Sequence, residues 1–315
     1  MQLPSSAGVS WVPLLWLALD LGFLLALLIH LLGGPGGPCS PLYSVFQDAI
    51  RFGKTKAGSQ RPAWLHCFDV PKRWFSHFYI ISVMWNGVLL WVFLQTSLLG
   101  FKIPEWIESL LHLLGVDTPH VQGEDLSTIL ALFLMWLHSF RRLMECFYVS
   151  VFSDGVIHLA QYCFGLGFYF LLGITIFSQA RLASRTISFG DLLMQSRWYH
   201  GFGLILYTWA SIHQNRVHVI LANLRKNKSG KITNLKHVIP HGDWFENVSC
   251  PHYFAELLIY VSISAVFGFV NAPWWLVVLC VLFNQALAAV LSHEFYHEKF
   301  KLYPAQRKAF IPFIF

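Results

Sequence analysis

The chain has 315 residues, of which 56% are hydrophobic, 17% aromatic and only 12% charged, which excludes an ordinary soluble domain, where about a quarter of residues carry charge. Its formal net charge of +6 is distributed over the connecting segments between apolar runs, a pattern of membrane topology rather than of a nucleic-acid surface. Six scattered cysteines without a Cys-x-x-Cys pair indicate neither a disulfide framework nor a zinc site.

Apolar stretches long enough to cross a bilayer, about 20 residues each, run near Trp11–Leu32, Phe78–Leu99, Ser127–Phe152, Val156–Phe177, Tyr199–Ile212 extending toward Leu221, Phe254–Phe269 and Trp274–Leu291. The count is seven, the fifth being interrupted by Arg216 and His218. No positive charge precedes Arg51, so the basic region of a cleavable signal peptide is missing and the first span reads as a retained anchor. Residues 33–41, Gly-Gly-Pro-Gly-Gly-Pro-Cys-Ser-Pro, form a bend after it. Proline in the turn and the lack of a strand–helix pair exclude a dinucleotide fingerprint there, and Gly201-Phe202-Gly203 lacks the third glycine. The expected fold is therefore an all-α integral membrane protein of about seven transmembrane helices without a Rossmann domain. A single domain occupies 1–315, and any dinucleotide is held among helices and loops.

The connections alternate in charge. Arg51, Lys54, Lys56, Arg61, Lys72 and Arg73 lie between the first two spans, whereas the next connection has Lys102 against Glu105, Glu108, Asp117, Glu124 and Asp125. The positive-inside rule makes the first cytosolic and the second not. The connection after span five and the tail, both basic, fall on the cytosolic side as well.

Ionisable residues inside spans are costly and default to functional candidates. In the third span His138, Arg142 and Glu145 share one helical face, and one glutamate neutralises only one of Arg141 and Arg142. That leaves a positive charge for a phosphate or carboxylate; the alternative is a structural ion pair or arginines snorkelling to the cytosolic edge. Glu256 begins an apolar span, where a carboxylate needs a partner. The intervening run through Arg225-Lys226 to Trp244-Phe245 interleaves charge with aromatic and turn residues, against the plain alternative of a solvated basic loop. The tail, His293-Glu294-Phe295-Tyr296, Phe300, Tyr303-Pro304, Arg307-Lys308 and Ile311-Pro312-Phe313-Ile314-Phe315, is aromatic and basic where a terminus is ordinarily polar and frayed. An interfacial helix with its Tyr, Lys and Arg at headgroup level is the alternative there.

The order Leu-Arg, Ile-Pro-x-Gly-x-x-Phe-x-x-Val-Ser, Tyr-x-x-Glu and the His-x-x-Tyr tail, over roughly residues 210–315, resembles the cofactor half of the steroid 5α-reductase family. Phe46-Gln47-Asp48, Arg51-Phe52-Gly53-Lys54-Thr55-Lys56, Asp69-Val70-Pro71-Lys72-Arg73 and Leu137-His138-Ser139-Phe140-Arg141-Arg142-Leu143 are similar to its polyprenol/polyprenal branch rather than to the steroid enzymes. The resemblance implies NADPH as cofactor, with Arg225, Glu256, His293 and Tyr296 in its site, joined by Arg142, Gln214, His218, His252 and Tyr260. His252 stands where the family has asparagine, and His218 where some members have aspartate. On the catalytic side the resemblance implies Asp69 facing the substrate carbonyl, with Ser139 near the family's substrate-binding tyrosine and His138 beside it. No metal is implied.

The implied chemistry is reduction of a carbon–carbon double bond. An isolated alkene cannot accept negative charge, so a conjugated carbonyl must take it up, and a donor must stabilise the carbonyl oxygen. Asp69 does this only when protonated, as a carboxyl in a dry site can be. The same requirement favours an allylic aldehyde, polyprenal, over the alcohol. The resulting expectation is an NADPH-dependent reductase of the α-isoprene unit of a long-chain polyprenoid in the endoplasmic reticulum membrane, on the dolichol route that supports protein N-glycosylation. Alternatives are a 3-oxo-Δ4-steroid or enoyl-CoA reductase, a related S-adenosylmethionine-dependent methyltransferase, or a non-catalytic lipid-binding protein.

Overall fold

A computed structural model describes residues 10–33, 40–57, 61–116, 123–181, 186–227, 229–233 and 235–315; most of the bend expected at 33–41 lies outside them. The chain runs α1 (Trp11–Gly33), α2 (Pro41–Ile50), α3 (Lys54–Ala57), a 3-10 turn (Ala63–Phe68), β1 (Asp69–Pro71), a second 3-10 turn (Lys72–Trp74), α4 (Phe75–Leu99), α5 (Glu105–Leu113) and α6 (Asp125–Met144). A π turn (Glu145–Val149), β2 (Val156–His158), α7 (Leu159–Phe177), α8 (Phe189–Met194), α9 (Trp198–Asn223), a 3-10 turn (Asp243–Glu246), α10 (Pro251–Val266) and α11 (Ala272–Lys299) complete it.

Each expected span is helical over most of its length, with ends set by local chemistry; the fourth begins at Leu159, because Val156–His158 form β2. Asn271 caps α11 by accepting the Trp274 N–H at 3.0 Å, with a proline in its first turn. Pro251 opens α10, its missing N–H being one of the unpaired donors of a helix start. Gly100 ends α4 in the left-handed region at φ 71°. α6 stops at Met144, short of the expected Phe152, and passes through the π turn, a local distortion that turns Glu145 inward. α9 continues unbroken through Arg216 and His218 to Asn223, because His218 faces a buried carboxylate rather than lipid.

Four of these helical stretches, Trp11–Gly33, Lys72–Leu99, Leu159–Phe177 and Ala272–Lys299, are long and apolar enough to cross a bilayer, so the protein is a multi-pass membrane protein. α6 and α9 interrupt their apolar faces with basic and polar groups, and α10 has only 16 residues. α9 packs on α10, α4 on α6 and α7, and α1 and α10 on α11. Glycines permit the closest approaches: a Cβ at Gly203 would lie 2.8 Å from the Ser262 carbonyl oxygen of α10. The only sheet among the described residues is the antiparallel pair β1–β2, with Asp69 opposite His158 and Pro71 opposite Val156. It ties the α3–α4 connection to the start of α7.

Candidate functional site

At the end of the bundle where α9 and α11 finish, an open cavity of about 200 Å³ gathers three stretches distant in sequence: Phe52, Lys54 and Lys72 from the first connection, Arg225 and Lys236, His237 and Val238 after α9, and Ser292 and Tyr296 from α11. His218, His252, Tyr253 and Ser249 complete its functional wall. Among the described residues that line it, four are Lys or Arg, three are His and none is Asp or Glu. Such a wall is built for an anion with several charges, and its aromatic faces suit flat rings. Lys54 Nζ lies 3.8 Å from the centre of the Tyr296 ring, within cation–π range. Desolvation, with Lys72, Arg225 and Lys299 close by, lowers the Lys54 ammonium from 10.5 to about 8. The same causes bring His237 down to about 4, so that imidazole is neutral at physiological pH. Arg225, also lowered by burial, donates to the Val151 carbonyl, which holds its guanidinium at the rim.

Below the cavity lies a buried polar network. Glu145 accepts hydrogen bonds from Arg141 at 2.5 Å, from Arg142, and from Asn215 at 2.8 Å. His218 Nδ1 is 2.8 Å from Glu145 and 2.7 Å from Arg142. Arg141 also donates to Gln214, which donates at 2.5 Å to Glu256, whose other oxygen is 3.2 Å from His138 Nε2. Two guanidinium groups thus meet two carboxylates. The positive charge expected to be left over in the third span is balanced by Glu256 from α10, which sequence spacing on α6 alone could not reveal. Arg142 further donates to the Tyr79 hydroxyl at 3.2 Å. Tyr260 is buried beside this network, stacked on Trp274 and edge-on to His138.

The tail is held down by specific contacts. The Ser249 hydroxyl lies 2.6 Å from both His293 Nδ1 and the Tyr303 hydroxyl, and Tyr303 stacks on Tyr296 with ring planes 4° apart. Arg307 is buried and donates to the Pro240 carbonyl at 2.9 Å, while Ser249 N–H donates to the Lys308 carbonyl at 2.8 Å. The terminal segment therefore straps the loop carrying His237 and Val238 against α11.

Of the residues singled out from sequence, His218, Arg225, His252 and Tyr296 line the cavity, and His293 supports its wall through Ser249. Arg142, Gln214, Glu256 and His138 belong to the network behind it, with Tyr260 alongside. Ser139 and Asp69 are elsewhere. Ser139 is fully buried between α6 and α4, 2.6 Å from the Ser82 hydroxyl and donating to the Met135 carbonyl. Asp69 does not line the cavity, and its cationic neighbours favour the ionised carboxylate over the protonated form that the expected role requires. Burial alone would raise its carboxyl, but hydrogen bonds and charges from Arg61 and Lys56 outweigh burial and hold it at about 2. Asp69 is an ionised carboxylate, 2.5 Å from Arg61 and 3.0 Å from Lys56. Lys54 and Lys72 are the residues that sequence reading left without a role; their signal is the Arg-Phe-Gly-Lys-Thr-Lys run and the lysine three positions after Asp69.

Residues 158–315 match the 3-oxo-5-alpha-steroid 4-dehydrogenase family. Over nearly its whole length the chain is similar to proteins named polyprenal reductase. The Xenopus tropicalis protein is 62% identical over 303 residues, covering 96% of this chain and 98% of that one. The Homo sapiens protein is 55% identical over 305 residues, with 95% and 94% covered. The Danio rerio protein is 48% identical over 276 residues, with 86% and 87% covered.

Proposed function

The chain belongs to the 3-oxo-5-alpha-steroid 4-dehydrogenase family, and on that premise we propose that it reduces the α-isoprene double bond of a long-chain polyprenal with NADPH, toward dolichal and dolichol. The observation that carries the cofactor assignment is the cavity wall, cationic and, among the described residues, free of carboxylates, with Tyr253 and Tyr296 beside the cations. A pyrophosphate and a ribose phosphate need such a wall, and the residues present fit them. The names of the relatives support the aldehyde as substrate.

When bound, the cofactor supplies a hydride to the β-carbon of the unsaturated aldehyde. The chain's own residues do the rest. Lys54, Lys72 and Arg225 hold phosphate oxygens at the cytosolic mouth. Tyr296, fixed by its stack on Tyr303, holds the Lys54 ammonium over its ring. Glu256, one helical turn from His252 on α10, and Gln214, which donates to the His252 carbonyl at 3.3 Å, are locked to His138 and Arg141 and present a fixed set of hydrogen-bonding groups. The conjugated carbonyl takes the electron pair as charge develops on oxygen, where hydrogen-bond donors would stabilise it, and a proton drawn from solvent then adds at the α-carbon to complete the saturated aldehyde. The isoprenoid tail lies in the bilayer beside the helices.

The same reading has the protein as one domain of the endoplasmic reticulum membrane, with α1, α4, α6, α7, α9, α10 and α11 crossing it and the C-terminus cytosolic. The gathering of the basic connections at one end of the bundle supports that orientation. A glycan on Asn227 or Asn247, both in sequons at the cytosolic end, would contradict it. Steroid enones and enoyl-CoA esters carry the same conjugated carbonyl, so the substrate test is direct. Purified protein with NADPH is incubated with polyprenal, polyprenol, an enone steroid and an enoyl-CoA. Polyprenal is expected to turn over fastest, and faster consumption of the steroid or the thioester would overturn the substrate assignment.

A further inference from the structure

Two of the cavity's cations come from segments with little regular structure: Lys54 opens the four-residue α3, and Lys72 follows the three-residue β1. Something must fix both, because flexible ammonium groups lose entropy on binding a phosphate. Their neighbours in sequence provide the fixing point. Lys56, two residues from Lys54, sends its ammonium away from the cavity to Asp48 Oδ2 at 2.9 Å and to Asp69 Oδ1 at 3.0 Å. Arg61 bridges the same two carboxylates, donating to Asp48 Oδ1 at 2.8 Å and to both oxygens of Asp69 at 2.9 and 2.5 Å. The result is a closed ring of two carboxylates and two cations. It joins α2, which carries Asp48, to α3, to the stretch before the first 3-10 turn, and to β1.

Backbone ties extend the ring to the lysines themselves. Gly53 N–H donates to the Val156 carbonyl at 2.7 Å and Lys72 N–H to the Gly155 carbonyl at 2.9 Å, so the residue before Lys54 and Lys72 itself hang from adjacent peptides at the start of β2. Gly53 has φ 52°, and a Cβ there would come within 3.0 Å of Lys72 Nζ, so the two segments touch at that point. Asp48 is buried at 3% exposure and Lys56 at 1%. A buried ion pair returns little net stability after desolvation, but a ring of four fully engaged groups fixes geometry. Its charges sum to zero, so it leaves the positive potential of the cavity intact. His158 Nε2, 3.8 Å from Asp48, and His66, 3.5 Å from Asp69, are the other titratable groups against it.

We infer that Asp48, with Asp69, Lys56 and Arg61, is a positioning device that holds Lys54 and Lys72 in register for the phosphates of the dinucleotide. The inference rests on the reading of the cavity as the NADPH site, and the experiment separates the two. NADPH affinity and steady-state kinetics are measured for Asp48→Asn, Asp48→Glu, Lys54→Met, Lys72→Met and the doubles of Asp48→Asn with each methionine variant. Because removing one partner leaves a buried charge uncompensated, Asp48→Asn/Lys56→Gln is measured as well; it deletes the tie while removing one charge of each sign. Expected is an affinity for NADPH weakened about tenfold, the loss of roughly one charge-assisted contact, in Asp48→Asn and in the neutral pair. The turnover number should stay within about twofold, and Asp48→Glu should partly restore affinity. In the Lys54→Met or Lys72→Met background the Asp48 effect should shrink, since there is less left to position. If the methionine variants bind NADPH weakly but the neutral pair, folded, binds it like the wild type, the positioning role is wrong. Wild-type affinity in Lys54→Met and Lys72→Met would instead overturn the cavity assignment.

Discussion

Lys54 gives the cavity a pH dependence whose sign and size follow from its surroundings. Desolvation and the neighbouring Lys72, Arg225 and Lys299 bring its ammonium from 10.5 to about 8 in the free protein. A bound phosphate replaces those repulsions with attraction and returns the group toward its ordinary value. Binding therefore takes up a proton, and affinity is fully present below about pH 8 and declines above it. Desolvation and Arg225 bring Lys72 down to about 8 as well, so with free values near 8 and bound values near 10.5 linkage makes the dissociation constant about tenfold larger at pH 9 than at pH 7 for each lysine, about a hundredfold for the two together. The ribose phosphate of NADPH, titrating at about 6, is already fully ionised across that window and contributes nothing. The assay is quenching of tryptophan fluorescence by NADPH for protein in lipid nanodiscs at constant ionic strength. Lys54→Arg, whose guanidinium stays charged throughout, should leave only the roughly tenfold dependence that Lys72 contributes. A wild-type affinity that is level from pH 7 to 9, or a Lys54→Arg curve as steep as the wild type, would refute the reasoning.

Asp69 separates two mechanisms. Because it is paired with Arg61 and Lys56, Asp69→Asn and Asp69→Leu should both weaken NADPH binding with turnover at saturation little changed, whereas for a neutral donor to the carbonyl the leucine variant would lose turnover and asparagine would be spared; NADPH affinity and polyprenal turnover of the two folded variants decide between them. Its carboxyl is depressed from 3.8 to about 2, so the stability it lends is complete above pH 4 and lost as pH falls through about 2. Near neutrality that is about 2 kcal/mol, seen as a lowered melting temperature of the asparagine variant. Arg225→Ala should raise KM for NADPH about tenfold with a smaller change in kcat, read from initial rates. Gly203→Leu forces side-chain atoms into the Ser262 carbonyl and Val266 of α10 and should cost at least 1–3 kcal/mol, the order of overpacking, as a loss of thermal stability.

Much of the fold was legible because bilayer-length apolar runs leave few options: the expected spans are helical over most of their length, four of them long and apolar enough to cross a bilayer, and the basic connections gather at one end. The tail was legible too, since His293, Tyr296, Tyr303 and Arg307 are residues that a frayed terminus does not need. What escaped were properties of pairs brought together by folding. The charge left on α6 is balanced by Glu256, 111 to 115 positions further along the chain from Glu145 and Arg141, through Gln214 on α9. The protonation state of Asp69 depends on Lys56 and Arg61, which looked like ordinary positive-inside charges. Lys54 and Lys72 were hidden in the same way, because a lysine at a membrane edge is common and only its convergence with Arg225 and Tyr296 marks a site. α2, α3, α5 and α8 are short, and their periodicity is too brief to stand out against the spans.

The most direct test of the central claim is isotopic. NADPH carrying deuterium at the transferable position of its nicotinamide is incubated with the purified protein and a long-chain polyprenal, and the product is analysed by mass spectrometry and NMR. A saturated aldehyde bearing one deuterium on the former β-carbon of the α-isoprene unit is the predicted result. Deuterium on the carbonyl carbon, giving an allylic alcohol with its double bond intact, or no label transfer at all while a conjugated steroid is reduced, would contradict the account.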